Sequence, residues 1–403
     1  MDAVTVFLLP ALAAVAPLLA SVVGRVARVP LVVFEIVLGI IVGPSVLGWA
    51  HPQLFTDYLS QFGLATLFFV AGSEINFTAI KGRPITRAII GWVISLVVAV
   101  LVGVALGPTP DAGVFIGIAL CSTALGTILP MLRDAKELST PFGVAVTAIG
   151  AVGEFGPLLA ISIFLSGRNP GVSAIVLLVF VVIACFGVWL AFRGRNSRIH
   201  TVLAASLHTS GQFAIRLIIF LIGALVALSL ALSLDMLLGA FVAGIMWRVL
   251  SSGAPEHNRE QIDSKIEAVA FGFFVPIFFI TTGMKFDAKA LFTDPHVLLL
   301  VPVFLVLLVI VRGMPGILAA PPGSSRKDRI AIVLFGATGL PIIVAVTSIG
   351  ERAGALSSGI SSALVAAGIM SVLLFPLIAF ALRGDIDTPG LKHPTADQLS
   401  SEP

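Results

Sequence analysis

Two ionisable residues stand where charge is costly. Glu154 lies near the middle of GVAVTAIGAVGEFGPLLAISIFL (143–165), an apolar stretch long enough to cross a bilayer. Arg312 lies about two thirds of the way along VLLLVPVFLVLLVIVRGMPGILAA (297–320), a second such stretch. A carboxylate at bilayer depth must face a water-filled cavity or a partner. There it can hold a proton or, once the proton leaves, a cation. Arginine stays protonated even when buried, so it offers a fixed positive charge. The bland reading of Arg312 is a side chain reaching to the interface. The functional one has it compensate helix ends and pair with Glu154 in one state of a transport cycle.

Two further clusters suit a cation. CSTALGT (121–127) and GATGLP (336–341) each place hydroxyls and glycine in the middle of an apolar window. Pro341 removes a backbone donor, glycine relaxes the helix, and hydroxyls satisfy the freed groups. Small polar residues also occur where membrane helices pack closely. Read as broken helices, the two segments bring Ser122, Thr123 and Thr338 to the site. With Glu154 these complete an all-oxygen shell suited to a hard monovalent cation. Glu35 and Glu74 lie toward the ends of the second and third windows, where they could line a negative funnel, with an interfacial or helix-packing role the equal alternative for Glu35. Arg216 is expected to anchor the eighth window at the inner interface, and Asp235 to sit in an outer loop. His200, His208 and His257 read as solvated, with pH sensing as the sharper alternative.

The elements that must position these residues are helices in a membrane. The chain has 403 residues, 58% hydrophobic and 11% charged, with mean hydropathy +1.10. A soluble protein carries roughly 25% charged residues. Apolar windows fall at about 3–24, 30–48, 57–75, 86–107, 112–132, 140–166, 171–192, 214–233, 235–250, 266–284, 296–319, 330–349 and 356–382. The fold class is therefore an all-α polytopic membrane protein of about 13 transmembrane helices. Residues 1–383 read as one transmembrane domain and 384–403 as a disordered cytoplasmic tail. The N-terminus has Asp2 and no basic leader region, so the first window reads as a retained helix. Cys121 and Cys185 read as reduced packing residues.

Most Lys and Arg residues fall in one set of alternate loops; the other set holds only Arg168, Lys285, Lys289 and Arg352. That asymmetry puts the first set inside, with the N-terminus outside and the C-terminus cytoplasmic. It also accounts for a pI near 9.1 without nucleic acid. No phosphate-binding loop is present, so the chain does not hydrolyse ATP itself. With the seventh window as a linker, the broken helices are the fifth of each sixfold half and run in opposite directions. That is the signature of two inverted repeats whose discontinuous helices cross at the substrate site.

These residues resemble a known family, the monovalent cation:proton antiporters of bacteria, in the branch of Kef-type potassium efflux proteins and related sodium/proton exchangers. The carriers of the resemblance are VPLVVFEIVLGIIVGPSVLG (29–48), GLATLFFVAGSEIN (63–76), CSTALGTIL (121–129), LGAFVAGI (238–245), FFVPIFFITTGMKFD (273–287) and ATGLP (337–341). The resemblance implies an essential acid in a mid-membrane pair, typically Asp-Asp, Asn-Asp or Gln-Asp. Here the pair reads Gly153-Glu154, with the first polar residue missing. It also implies that Arg312 fills the family's buried Lys or Arg position, and that the protein is a homodimer.

The expected function is exchange of protons for Na⁺, Li⁺ or K⁺ by alternating access at Glu154, one proton per cation. The setting is the bacterial inner membrane. No cofactor, resident metal or enzyme activity is expected. A cation channel and a sodium-coupled organic-anion symporter are the alternatives. An intramembrane protease is excluded by the lack of HExxH and of paired membrane aspartates.

Overall fold

A computed structural model describes residues 3–23, 29–75, 77–165, 169–193, 212–251 and 255–383. The tail 384–403, the loop residues Arg25, Arg28, Arg168, Arg195 and Arg198, His200 and His208 lie outside the described residues. Among the described residues the chain is helical, without strands.

The helices are α1 (Ala3–Val23), α2 (Leu31–Val42), α3 (Leu54–Glu74), α4 (Arg83–Leu106), α5 (Pro110–Leu120), α6 (Leu125–Asp134), α7 (Pro141–Phe164) and α8 (Pro170–Arg193). They continue with α9 (Phe213–Ala231), α10 (Met236–Ser251), α11 (Glu256–Val269), α12 (Val275–Lys285), α13 (Pro295–Leu307), α14 (Arg326–Ala337), α15 (Pro341–Arg352) and α16 (Ser358–Arg383). Among the described residues eleven helical segments are long and apolar enough to cross a membrane, and α2 and α10 are shorter apolar helices. The tenth and twelfth windows start earlier than hydropathy suggests. Polar α11 carries Arg259 and Lys265, expected in a loop, because it runs without a break toward α12. The start of α14 is polar but closed by a capping box between Ser325 and Asp328.

Two bundles result. α1–α3 pack with α9–α12, and α4–α7 pack with α13–α16. The first is sealed by close backbone approach: a Cβ on Gly72 of α3 would collide with the Phe241 carbonyl of α10, and one on Gly244 with the Phe69 carbonyl. In the second bundle two interrupted helices meet. α5 gives way to α6 across Cys121–Ala124, and α14 gives way to α15 across Thr338–Leu340. Cross-links tie the breaks together. The Ala124 N–H donates to the Thr338 carbonyl at 2.8 Å, and the Thr123 N–H to the Gly153 carbonyl of α7 at 2.8 Å.

Two π-turns interrupt otherwise continuous helices, at Ala270–Phe274 and Leu308–Gly313. Each contains the residue four before a proline, Gly272 before Pro276 and Val311 before Pro315. A proline ring clashes with the carbonyl four residues back, and a widened turn relieves the clash. The second π-turn carries Arg312.

Candidate functional site

The Glu154 carboxyl is 1% exposed and meets the start of α6. It faces the backbone N–H groups of Leu125 and Gly126, the first residues of that half-helix. Helix starts leave N–H groups without intrahelical partners and carry partial positive charge, so a carboxylate is stabilised there. Oε2 has no hydrogen-bond partner among protein groups. The acid thus sits at a half-helix start with Oε2 available.

Arg312 is also 1% exposed, so it does not reach the interface. Among the described residues no ion pair joins it to Glu154. Its Nε donates to Thr123 Oγ1 at 2.7 Å, and Nη2 donates to the Ile149 carbonyl at 2.7 Å. Thr123 Oγ1 in turn donates to the Gly336 carbonyl at 2.6 Å, near the end of α14. The charge therefore compensates a half-helix C-terminus through a threonine relay. The reason for this placement is Gly153: a Cβ there would collide with the guanidinium and with the Thr123 hydroxyl. Arg312 occupies the space a side chain at 153 would fill.

The other break is compensated differently. Trp92 of α4 donates its indole N–H at 3.2 Å to the Cys121 carbonyl, at the end of α5. Its ring lies against Gly156, where a Cβ would collide with it. Sequence reasoning missed Trp92, because a tryptophan in an apolar helix carries no signal of its partner.

Ser122 donates to the Ala119 carbonyl at 2.7 Å and Thr338 to the Leu334 carbonyl at 3.0 Å. Their hydroxyl hydrogens are spent on their own helices, while their oxygen lone pairs remain as acceptors. Ser122, Thr123 and Thr338 are all buried at the crossing.

A cavity of about 270 Å³ opens between the bundles at the end bearing the basic loops. Glu74, Arg133, Thr147, Arg248, Asp263 and Glu267 are among its lining residues. Glu74, expected to line a funnel, lies on this cavity's wall beside Arg133 at 3.4 Å. Glu35 is buried on α2 and does not line this cavity. At the opposite end a cavity of about 140 Å³ is lined by Asp57, Asp235, Lys285, Glu351 and Arg352. Asp57 and Lys285 pair there at 2.8 Å. Asp235 caps α10 through the Leu237 N–H at 2.8 Å. Burial pushes its carboxyl above the ordinary range, against that N–H and the Arg352 charge. Arg216 is exposed on α9, and His257 bonds Gln261 at 3.0 Å on α11. Cys121 is buried as expected, whereas Cys185 is exposed on the surface of α8.

A family model described as "Sodium/hydrogen exchanger, transmembrane" matches residues 11–382. A putative Na⁺/H⁺ antiporter of Bacillus subtilis is 26% identical over 370 residues, covering 87% of this chain and 58% of that protein. A Na⁺/H⁺ antiporter of Enterococcus hirae is 23% identical over 376 residues, covering 90% of this chain and 94% of that one. Among solved structures, the sodium proton antiporter MjNhaP1 of Methanocaldococcus jannaschii superposes with a TM-score of 0.66 at 13% identity. The match covers 95% of this chain and 98% of that one, and it shows a shared fold.

Proposed function

The chain belongs to the sodium/hydrogen exchanger family, a family of secondary transporters and not of enzymes, and on that premise we propose that it exchanges protons for Na⁺, Li⁺ or K⁺ at Glu154. The observation that carries this reading is the buried carboxyl at a half-helix start. One face of Glu154 meets the start of α6, and Oε2 is left for a proton or a cation. Ser122, Thr123 and Thr338 supply further oxygens at the crossing. Because one carboxyl serves both ions, occupancy is exclusive and transport is an exchange. The two cavities lie between the same two bundles at opposite ends of the molecule. Movement of one bundle against the other exposes the site to each in turn.

The basic end faces the cytoplasm of a bacterial inner membrane, with the N-terminus outside and the C-terminus inside. Residues 1–383 form the transport domain, the working unit is a homodimer, and no cofactor takes part. Exchange is electroneutral, one proton per cation. Gly153 leaves a single carboxyl at the crossing, and Arg312 stays charged throughout.

The test is a fluorescence-dequenching assay in proteoliposomes with Na⁺, K⁺ and Li⁺ added in turn. A cation-dependent collapse of an imposed pH gradient is expected. With pH balanced and a potassium diffusion potential imposed by valinomycin, Na⁺-driven exchange is expected to be insensitive to potential. Sustained potential-driven proton movement would contradict the single-carboxyl count.

A further inference from the structure

Thr147, like Thr281 of α12, departs from the common pattern of helical threonines, and of the two it is Thr147 that lines a cavity. Thr66, Thr282 and Thr347 within helices, and Thr338 just past the end of α14, each donate their hydroxyl to the carbonyl four residues back, at 2.7–3.0 Å. That is the ordinary use of a helical hydroxyl in an apolar setting. Thr147 makes no such bond. Its Oγ1 is buried without a hydrogen-bond partner, and the residue is 7% exposed. It lines the 270 Å³ cavity at the basic end, on the wall facing Glu74 and Glu267. It also lies on α7 seven residues before Glu154. Seven residues are close to two turns, so both side chains project from one face of the helix, about 10 Å apart along its axis.

An unpaired buried hydroxyl is costly unless something uses it. Here it stands between a water-accessible cavity with carboxylates on its wall and an acid that requires a dehydrated ion. We propose that Thr147 is a transit ligand for the monovalent cation. Its oxygen replaces part of the hydration shell as the ion passes from the basic-end cavity to Glu154. The inference rests on the exchange reading above and assigns a ligand on one side of the route only. Glu154 serves both entry paths, whereas Thr147 serves the path from the basic end.

The experiment compares Thr147→Val with Thr147→Ser in vesicles of either orientation, so that Na⁺ is offered from the basic end or from the opposite end. Valine keeps the shape and removes the oxygen; serine keeps the oxygen. For valine, the half-saturating Na⁺ from the basic end is expected to rise about fivefold, the equivalent of one neutral oxygen contact. From the opposite end it stays at the wild-type value, the maximal rate is preserved, and serine restores wild-type behaviour. Thermal unfolding in detergent shows that the valine protein is folded. Wild-type half-saturation from both sides would overturn the transit role. An equal rise from both sides would overturn it too, because it would place the effect at Glu154. If the wild-type protein shows no cation-dependent proton movement, the exchange reading falls, and this inference with it.

Discussion

At the first break, the end of α5 turns its Cys121 carbonyl to the Trp92 indole, and the start of α6 turns two N–H groups to Glu154. At the second, the Gly336 carbonyl near the end of α14 receives the Thr123 hydroxyl under Arg312. The start of α15 meets no acid: Pro341 opens it, and the preceding Gly339 N–H goes to the Ser371 hydroxyl at 3.1 Å. The backbone plan is repeated, but the chemistry is not. One break faces the buried carboxyl of Glu154; the other receives the fixed charge of Arg312. A neutral donor is sufficient at α5, so the crossing carries one buried arginine and one buried carboxyl. Two arginines there would repel a third positive charge, the transported ion.

The sharpest break in this comparison is Glu154→Gln. The amide keeps the shape and removes the titrating charge. Exchange is expected to fall to background while the purified protein stays monodisperse. Dequenching at the wild-type rate would place the working acid elsewhere.

Next in size is Arg312→Ala. It removes two charge-assisted bonds and leaves Thr123 and Ile149 without their donor, a loss of about 3 kcal/mol or more. Arg312→Lys keeps the charge but cannot reproduce both bonds, so its melting temperature should fall between wild type and alanine. Equal melting temperatures for the two variants would mean that the relay does not stabilise the crossing.

The smallest effect belongs to the neutral side. Trp92→Phe retains the ring against Gly156 and loses only the N–H. A decrease of about 1 kcal/mol in stability is expected, with exchange preserved. If the phenylalanine variant lost as much stability as Arg312→Ala, the two breaks would not differ as described.

Much of this was legible in the sequence, for physical reasons. Hydropathy marks helices because lipid requires apolar surface. Gly126, Gly339, Pro341 and the threonines mark the breaks because an α-helix cannot run undisturbed through them. Glu154 stands out because charge in an apolar run demands a use. What stayed hidden depends on which elements meet. The N–H groups that Glu154 faces come from another helix, and Thr123 and Ile149 draw Arg312 away from the acid. Trp92 and Thr147 have ordinary types for their surroundings, and only the indole's partner and the unpaired hydroxyl's place on a cavity wall set them apart. The early start of α14 was missed because Ser325 and Asp328 close a polar helix end that hydropathy does not register.

Gly153 has a bearing on how such a site changes over generations. The guanidinium of Arg312 and the absent side chain at 153 fill one volume between them. A polar residue introduced at 153 alone meets an occupied place, and a smaller residue at 312 alone leaves it empty beside a buried acid. A polar pair at 153–154 is therefore reached only through a disfavoured intermediate or by changing both positions together. The glycine thus works as a ratchet: while the arginine holds its space, the route to a second carboxyl at 153 is closed to single substitutions.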